Sequence, residues 1–465
     1  MEENMRNAKR WLSIFLVGTV LAGCLTACGS SGSNDNQEET GQTNQDAQQT
    51  VQDDTSENQE EAPNTEGATI RLAHLYDPGT GVESEKRSYE WLKKGSENFE
   101  ANNPGCTVEL EYYKYDEMDT KYMSDYQSGV EHDVLITTSM LFPQHFQVGD
   151  LLDMQPYVNE WEQSEVDEFA WNPVWDICSN DGGLYGIPLG LHIRGMIYRK
   201  DLFEQAGLDP NSPPKTMDEL LEYAQKLNNP DENIYGLGMY LGTERANLEC
   251  SFYPFLWANG GEIWDAETKQ AIFADETGVK TGQFVKDLVT KYGVTPQFAI
   301  SGGYGDALDA FMNGQYAMME GFGSYWISNV VEAGMEDNVG ICAVPDGSNR
   351  FSNCYSLSIY AGCEHPDLAM KLIEELLAPD VITMYADGGL PARRSDYEDA
   401  QYQGALYSAM LEIANDGRNV AETVNYMKLA DSVAAAVQEI IANDGDVQEV
   451  FTRYQDEYNA RYAGE

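Results

Sequence analysis

The order of secondary structure predicted between residues 69 and 138 constrains the fold of this chain more than any other feature. Hydrophobic periodicity and turn residues predict strands at Thr69–Leu75, Thr107–Tyr112 and Asp133–Thr138. Helices at Ser84–Ala101 and Met118–Val130 separate them. The third strand is apolar enough to lie inside a parallel sheet. This β-α-β-α-β order predicts an α/β fold that begins with a doubly wound lobe, a sheet with helices on both faces.

Polar side chains follow the first and third of these strands. Ligands of doubly wound sheets bind beyond the carboxyl ends of the strands. Tyr76 and Asp77 follow the first strand, and Ser139 follows the third. We therefore expect these three residues at the mouth of a ligand-binding cleft.

A second informative stretch contains a strand with two unusual polar residues. Leu189–Tyr198 alternates loosely and predicts a strand, and Gly207 ends the short helix that follows it. Thr216 and Glu219 predict a capping box, in which each residue bonds the backbone of the other, at the start of the next helix. His192 and Arg194 lie in the middle of the strand. They indicate either an edge strand that faces solvent or a strand that lines a cleft.

The N-terminus has the features of a targeting signal. Three basic residues within the first ten precede an apolar run, Trp11–Ala22, that is short for a membrane span. Two overlapping small-residue patterns follow, ending at Cys24 and Cys28, and each resembles a bacterial lipobox. We favour Cys28 as the lipidated residue, because small residues follow it. Cys24 is the alternative, and an ordinary secretory signal remains a third interpretation.

The segment after the signal is polar. We predict a signal peptide at residues 1–27 and a disordered acidic and polar tether at 28–67, which contains no Lys or Arg. Residues 29–67 would span a root-mean-square distance of about 35 Å. The sequence thus predicts a folded protein tethered to the extracellular face of a membrane by lipid only.

Composition argues against several classes of function. A formal net charge of −50 excludes nucleic acid as an expected partner, because binding phosphates needs a basic surface. The chain contains no P-loop and no zinc-protease or serine-hydrolase motif, and its five histidines are scattered. We therefore predict no enzyme activity, no cofactor and no metal site. The six cysteines outside the signal could form disulfides or remain free thiols.

Several motifs together resemble one known family. They are Tyr185-Gly186-Ile187-Pro188, the Tyr198–Leu208 stretch, Phe311–Met318, and Gly388–Arg393. They resemble the extracellular solute-binding proteins of ABC sugar importers, the family that includes maltose-binding protein. The resemblance covers roughly residues 68 to 460. Met217 stands where that family usually has tryptophan.

The resemblance implies a two-lobed fold of the type II periplasmic-binding-protein class, with three hinge crossings. We expect the crossings near His192, near Tyr355–Ile359 and near Gly389–Pro391. The N-terminal lobe would comprise residues 68–190 and 360–386, and the C-terminal lobe residues 195–352 and 393–465.

The resemblance also implies a function. The expected protein is a monomer that captures a carbohydrate, in particular an oligosaccharide, and delivers it to the permease subunits of an ABC transporter. The same fold could instead bind a peptide, a polyamine, a metal chelate or a phosphorylated polyol. An anchored glycoside hydrolase is a further alternative, because carboxylate pairs have no sequence signature.

Sugar sites combine aromatic faces with planar polar groups. By the family's spacing, His192 occupies the place of a ligand-contacting glutamate, and the family carries a stacking tryptophan in the turn after Gly321. Arg194 could donate paired hydrogen bonds to hydroxyls. The remaining predicted ligand-binding residues are Glu249, Tyr253, Trp257, Glu320, Phe322, Tyr325 and Trp326.

Overall fold

The computed structural model describes residues 67–79, 83–129, 132–171, 173–242, 251–346, 350–385, 389–414, 417–418, 423 and 425–464. The predicted signal peptide, nearly all of the predicted tether, both candidate lipidation cysteines and Glu249 lie outside these residues. Within the described part of the chain, no helix combines the length and the apolarity that crossing a membrane requires.

Two large sheets organise the described residues. The strands, in chain order, are β1 (Thr69–His74), β2 (Thr107–Tyr112), β3 (Val134–Thr138), β4 (Ser179–Asn180), β5 (Gly183–Leu184), β6 (Ile187–Pro188), β7 (Gly190–Arg199), β8 (Tyr235–Gly238), β9 (Trp264–Asp265), β10 (Gln270–Ala271), β11 (Tyr316–Gly323), β12 (Val339–Cys342), β13 (Arg350–Asn353), β14 (Tyr355–Ile359), β15 (Leu390–Pro391) and β16 (Gly417–Arg418). The first sheet has the order β2-β1-β3-β14-β6, and the second has the order β16-β13-β7-β11-β8, with β12 and β15 also paired to β7.

Helices lie between and around these strands. They are α1 (Glu83–Asn102), α2 (Tyr115–Ser128), α3 (Phe142–Val148), α4 (Gln155–Val158), α5 (Gln163–Ala170), α6 (Pro173–Ile177), α7 (Lys200–Gln205), α8 (Met217–Leu227), α9 (Tyr253–Ala258), α10 (Glu276–Thr290), α11 (Tyr304–Met312), α12 (Ile327–Glu332), α13 (Pro366–Leu377), α14 (Pro379–Ile382), α15 (Ala405–Ala414), α16 (Tyr426–Ala442) and α17 (Val447–Tyr462). Short 3₁₀ turns occur at Ser139–Leu141, Pro230–Glu232, Gln297–Ile300, Ser324–Trp326, Arg394–Glu398 and Ala400–Tyr402.

The first sheet forms as its sequence pattern predicts. β1 pairs in parallel with β2 and with β3, and β14 joins β3 in the antiparallel direction. All five residues of β3 are buried, as expected for a strand inside a sheet, and β3 lies between β1 and β14. The predicted β-α-β-α-β opening is therefore confirmed.

The chain passes directly between the two sheets in two places. β6 belongs to the first sheet and β7, which begins two residues after it, belongs to the second. The same change occurs in the opposite direction between β13 and β14, across Cys354. The sheets are thus joined by extended backbone rather than by long connections.

Two hydrophobic clusters pack against the second sheet, one on each face. Ile193 and Ile197 of β7 belong to the cluster that extends into the first sheet. Met196 and Tyr198 belong to the other cluster, which we call the distal cluster. This division follows from strand geometry, because successive side chains point to opposite faces.

Local capping agrees with the sequence except in one detail. Thr216 caps α8 by accepting a hydrogen bond from the Glu219 amide, and Gly207 adopts the left-handed conformation with φ of 74°. The Glu219 carboxylate, however, accepts from the amide of Lys215 at 2.7 Å rather than from Thr216. The predicted capping box is therefore half correct.

Candidate functional site

The strand that carries His192 and Arg194 is central in its sheet. Along its length, β7 pairs with β11, β12, β13 and β15. The interpretation of an edge strand facing solvent is therefore wrong. Strand alternation places His192, Arg194 and Met196 on the same face, and His192 is only 7% exposed.

Aromatic rings surround His192 where the two sheets meet. Its ring centre lies 5.4 Å from that of Tyr325 and 5.5 Å from that of Tyr355. The guanidinium carbon of Arg194 lies 4.8 Å from the centre of the Tyr325 ring, in cation–π geometry. Trp326 packs edge-on against Tyr325 at 5.2 Å. We call these five residues the junction group, since Tyr355 belongs to the first sheet and the others to segments of the second.

A serine and a glycine hold the chain around the junction group. The Ser324 hydroxyl donates to the carbonyl of Leu191 at 3.1 Å and accepts from the amide of Ile193 at 3.2 Å. Gly389 has a φ of 69°, and a Cβ there would lie 2.4 Å from the Ser324 hydroxyl and 3.4 Å from the His192 ring. Glycine is therefore required where this third segment passes the junction group.

Ser139 links the first sheet to the same region. It is fully buried, and its hydroxyl donates to the Asn353 side-chain oxygen at 2.6 Å. The hydroxyl also accepts from the amide of Cys354 at 3.3 Å. Asn353 lies opposite His192 in the β13–β7 register. The structure thus brings Ser139 close to the junction group, as expected for residues at the end of β3.

Tyr76 and Asp77 have other surroundings. Tyr76 is fully buried, and its hydroxyl donates to that of Tyr385 at 3.0 Å. Its amide donates to the His74 ring. Burial lowers the pKa of that ring to about 4. Asp77 accepts from the amide of Gly79 at 2.7 Å, which is the pattern of an Asx turn. These contacts give Tyr76 a packing role and Asp77 a turn role in this structure.

Tyr253 and Trp257 lie on α9 in the distal cluster. Both side chains are buried, and their rings are 5.7 Å apart. Met140, from the 3₁₀ turn that follows β3, belongs to the same cluster. Met140, which lies in a connection of the first sheet, therefore packs in the cluster on the distal face of the second sheet.

Phe322 differs from its expected location. The sequence predicts it in a turn, but it lies within β11, is fully buried, and packs 5.9 Å from Trp326. The strand continues because an irregularity in pairing occurs between Met319 and Phe322, and Gly321 has a φ of 75°. Tyr325 and Trp326 follow in the 3₁₀ turn, as expected for residues after the strand.

Glu320 occupies the irregular part of β11. It is fully buried, and neither carboxyl oxygen has a hydrogen-bond partner. Burial raises the pKa of Glu320 well above its usual value. The adjacent Gly321 carbonyl accepts from the Tyr240 hydroxyl at 2.8 Å.

Other polar clusters have structural explanations. The His145 ring contacts both Asp150 oxygens, at 2.9 and 3.0 Å, and lies 3.3 Å from the Thr137 hydroxyl, but all three side chains are buried. Among the described residues, no group of three or more His, Cys, Asp or Glu side chains is arranged to hold a metal ion. The five described cysteines, at positions 106, 178, 342, 354 and 363, are free thiols.

Sequence reasoning missed several residues of this region. Ser324, Asn353 and Met140 carried no individual signal, because each belongs to an ordinary strand or turn pattern. Tyr355 was predicted at a crossing but not as a contact of His192. Gly389 was predicted at a crossing but not as a contact of His192. The contacts of these residues form only because segments that are far apart in the chain come together on folding.

Comparisons with known proteins agree with this architecture. The profile of the family described as bacterial extracellular solute-binding protein matches residues 83–383, and this chain belongs to that family. YcjN of Escherichia coli, whose name describes a periplasmic-binding protein of an ABC transporter, is 29% identical over 346 residues, which are 72% of this chain and 77% of YcjN.

Solved structures share the fold. Maltose-bound MalE3 of T. maritima has a TM-score of 0.69 and 23% identity, covering 85% of this chain and 100% of that protein. A solute-binding protein from Agrobacterium radiobacter in complex with ribitol has a TM-score of 0.69 and 21% identity, with coverage of 85% and 99%. The predicted two-lobed α/β fold is thereby confirmed.

Proposed function

We propose that this protein captures a carbohydrate or polyol between its two lobes and delivers it to the permease subunits of an ABC importer. The observation that carries the proposal is the junction group, which places two tyrosines, a tryptophan, an imidazole and a guanidinium where the sheets meet. Aromatic faces of this kind stack on sugar rings, while planar polar groups bond adjacent hydroxyls. The names of the relatives support the ligand class, since they describe binding of maltose and of ribitol.

The predicted lobe boundaries form part of this proposal. The N-terminal lobe would contain residues 68–190 and 360–386, and the C-terminal lobe residues 195–352 and 393–465. The two changes of sheet, at β6–β7 and β13–β14, support this division. Closure would then need backbone rotation at only a few positions near Leu189 and Cys354.

The protein acts as a receptor rather than an enzyme in this proposal. The free energy of binding would stabilise the closed form that the permease recognises. The predicted site residues His192, Arg194, Tyr325 and Trp326 would contact the solute. An oligosaccharide would extend from the junction group toward the distal cluster, where Tyr253 and Trp257 lie.

A ligand panel tests the assignment. Thermal unfolding would be followed with maltose, maltotriose, glucose, mannitol and ribitol, and a solute at 100 times its Kd should add about 2.7 kcal/mol to the free energy of unfolding. Tyr325→Ala should abolish the increase. Tyr112→Ala should preserve it, because Tyr112 is a 38% exposed tyrosine of the outermost strand in the first sheet. An unchanged melting temperature across the panel would remove the sugar and polyol assignment.

We also propose that a lipid on Cys28 anchors the protein to the extracellular face of the membrane, with residues 29–67 as the tether. The apolar run and the small-residue pattern before Cys28 support this proposal. Cys28→Ser should move the protein from the membrane fraction to the medium, whereas Cys24→Ser should leave it bound. The reverse result would assign the lipid to Cys24, and release by neither variant would contradict anchoring through cysteine.

A further inference from the structure

The Cys354 side chain connects the two places where the chain changes sheet. Cys354 is the single residue between β13, which belongs to the second sheet, and β14, which belongs to the first. Its sulfur accepts a hydrogen bond from the amide of Gly190 at 3.2 Å. Gly190 is the first residue of β7, at the other change of sheet. We call residues 189–190 and 354–355 the crossing segments.

A carbonyl group reinforces the link between the crossing segments. The amide of Leu189 donates to the carbonyl of Tyr355 at 2.8 Å, and the Cys354 thiol donates to the same carbonyl. Leu189 connects β6 to β7, whereas Tyr355 is the first residue of β14. The thiol and this carbonyl together therefore bind the backbone of two successive residues of the first crossing segment.

The surroundings of Cys354 keep its thiol protonated. The side chain is fully buried. Burial raises the pKa of the Cys354 thiol to about 12, although neighbouring hydrogen bonds, chiefly that from Gly190, act in the opposite direction. The thiolate is the reactive form of cysteine, whereas a neutral thiol is a weak donor and a weak acceptor. Cys354 uses both capacities, so it acts in this structure through its hydrogen bonds and its packing.

These contacts lie directly beside two members of the junction group. Tyr355 follows Cys354 in the chain, and His192 lies two residues beyond Gly190. The rings of His192 and Tyr355 meet edge to face, with their centres 5.5 Å apart. Asn353 lies opposite His192 in the register of β13 and β7. The bond from the Gly190 amide to the thiol therefore restricts how these two rings approach each other.

We propose that Cys354 is a positioning residue for solute capture, whose thiol holds the crossing segments at the spacing that aligns the His192 and Tyr355 rings. This inference rests on the proposed function. A site whose groups are already in place loses less conformational freedom on binding, so the thiol raises affinity without touching the solute. With the proposed lobe boundaries, the same bonds lie where the backbone would rotate during closure.

Cys178 provides a matched control. It is also fully buried, and burial raises the pKa of its thiol. Its sulfur lies 3.3 Å from the hydroxyl oxygen of Ser356, a residue of β14. Replacement of Cys178 therefore removes a buried thiol from the same neighbourhood but leaves the bond from Gly190 to Cys354 in place.

Calorimetric titration with maltose and ribitol, and thermal unfolding without solute, compare three variants. Cys354→Ala should weaken binding by about tenfold, the loss that corresponds to one ordinary hydrogen bond. Cys354→Ser keeps a donor and an acceptor, so its affinity should stay within about threefold of the wild type. Cys178→Ala should lower the melting temperature as Cys354→Ala does, because both changes shorten a buried side chain, but it should bind solute like the wild type.

Three results would overturn the inference. Equal weakening of binding by Cys178→Ala and Cys354→Ala would show a general effect of lost packing. Normal binding by Cys354→Ala would show that the thiol does not position the site. Binding by Cys354→Ser as weak as that of Cys354→Ala would contradict the role of the hydrogen bonds.

Labelling of the wild type needs no variant that must fold. Modification by N-ethylmaleimide would be followed at each cysteine by mass spectrometry, with and without saturating maltose or ribitol. The solute should slow modification of Cys354 more than that of Cys178, because alignment of the two rings keeps the crossing segments together. Equal protection of both thiols would contradict the proposal.

Failure of the proposed function gives a different result. If no solute of the panel binds the wild type, unfolding by denaturant still tests the positioning of His192. Cys354→Ala and His192→Ala should together destabilise the protein less than the sum of the single variants, because loss of the thiol already releases the ring. Cys178→Ala combined with His192→Ala should be additive. Additivity in both pairs would contradict the positioning role, whereas coupling confined to Cys354 would support it even without a solute.

Discussion

Replacement of Met140 by alanine tests whether the two lobes close on each other through this side chain. Met140 is 7% exposed and follows β3, while the other buried members of the distal cluster lie between residues 196 and 458. With the proposed lobe boundaries, its contacts with that cluster would join the two lobes rather than stabilise one of them. Burial of a methionine side chain contributes about 1.5–3 kcal/mol.

The expected effect of Met140→Ala falls on solute affinity. A loss of about 2 kcal/mol from the closed form corresponds to roughly a 30-fold weaker binding. The melting temperature without solute should change little, because opening of the lobes leaves the core of each lobe intact. Calorimetric titration and thermal unfolding of the same preparations provide the two measurements.

Met318→Ala is the matched control. Met318 belongs to the same cluster but lies within β11, fully buried, opposite Tyr198. Its removal should lower the free energy of unfolding by about 2–5 kcal/mol, as for other large-to-small changes in a core. If Met140→Ala destabilises the unliganded protein as much as Met318→Ala and binds solute normally, Met140 is an ordinary core residue and our reasoning about closure fails.

Two glycine substitutions test the packing of the second sheet. Gly236→Ala in β8 should lower the free energy of unfolding by at least 1–3 kcal/mol in a denaturant titration, because the new Cβ would lie 1.9 Å from the backbone oxygen of Ala224 in α8; an unchanged midpoint would show that the helix can move away. Gly305→Ala in α11 should raise the free energy of unfolding by about 0.4–1 kcal/mol, since no atom beyond its chain neighbours and the helix's own backbone lies within 4 Å of the added methyl group. A loss of stability at Gly305 would contradict the helical geometry.

Local signals in the sequence predicted many of the individual elements. The predicted bounds of β2 match the structure, and Thr216 caps α8 as predicted. Apolar periodicity, turn residues and caps act over a few neighbouring residues, so they can be read along the chain. The turn expected after Gly321 begins later, because β11 continues through an irregularity between Met319 and Phe322 and ends at Gly323.

The candidate site was predictable only in part. The sequence indicated His192, Arg194, Tyr325 and Trp326, and the structure brings them together beside Tyr355, which was predicted at a crossing but not as a ligand-binding residue. The predicted residues Tyr76 and Phe322 are instead packed in the interior. A residue type and a spacing indicate suitable chemistry, but burial depends on which distant segment covers the side chain.

The sequence by itself determined the order of strands and helices, the acidic charge and the family resemblance. Tertiary structure decided that β7 is central rather than an edge, that Met140 reaches the distal cluster, and that the Glu320 carboxyl group lies without a partner. The physical reason is the range of the interactions. Strand pairing and the desolvation of a carboxyl group depend on residues that are far apart in the chain, and their combined contacts exist only after folding.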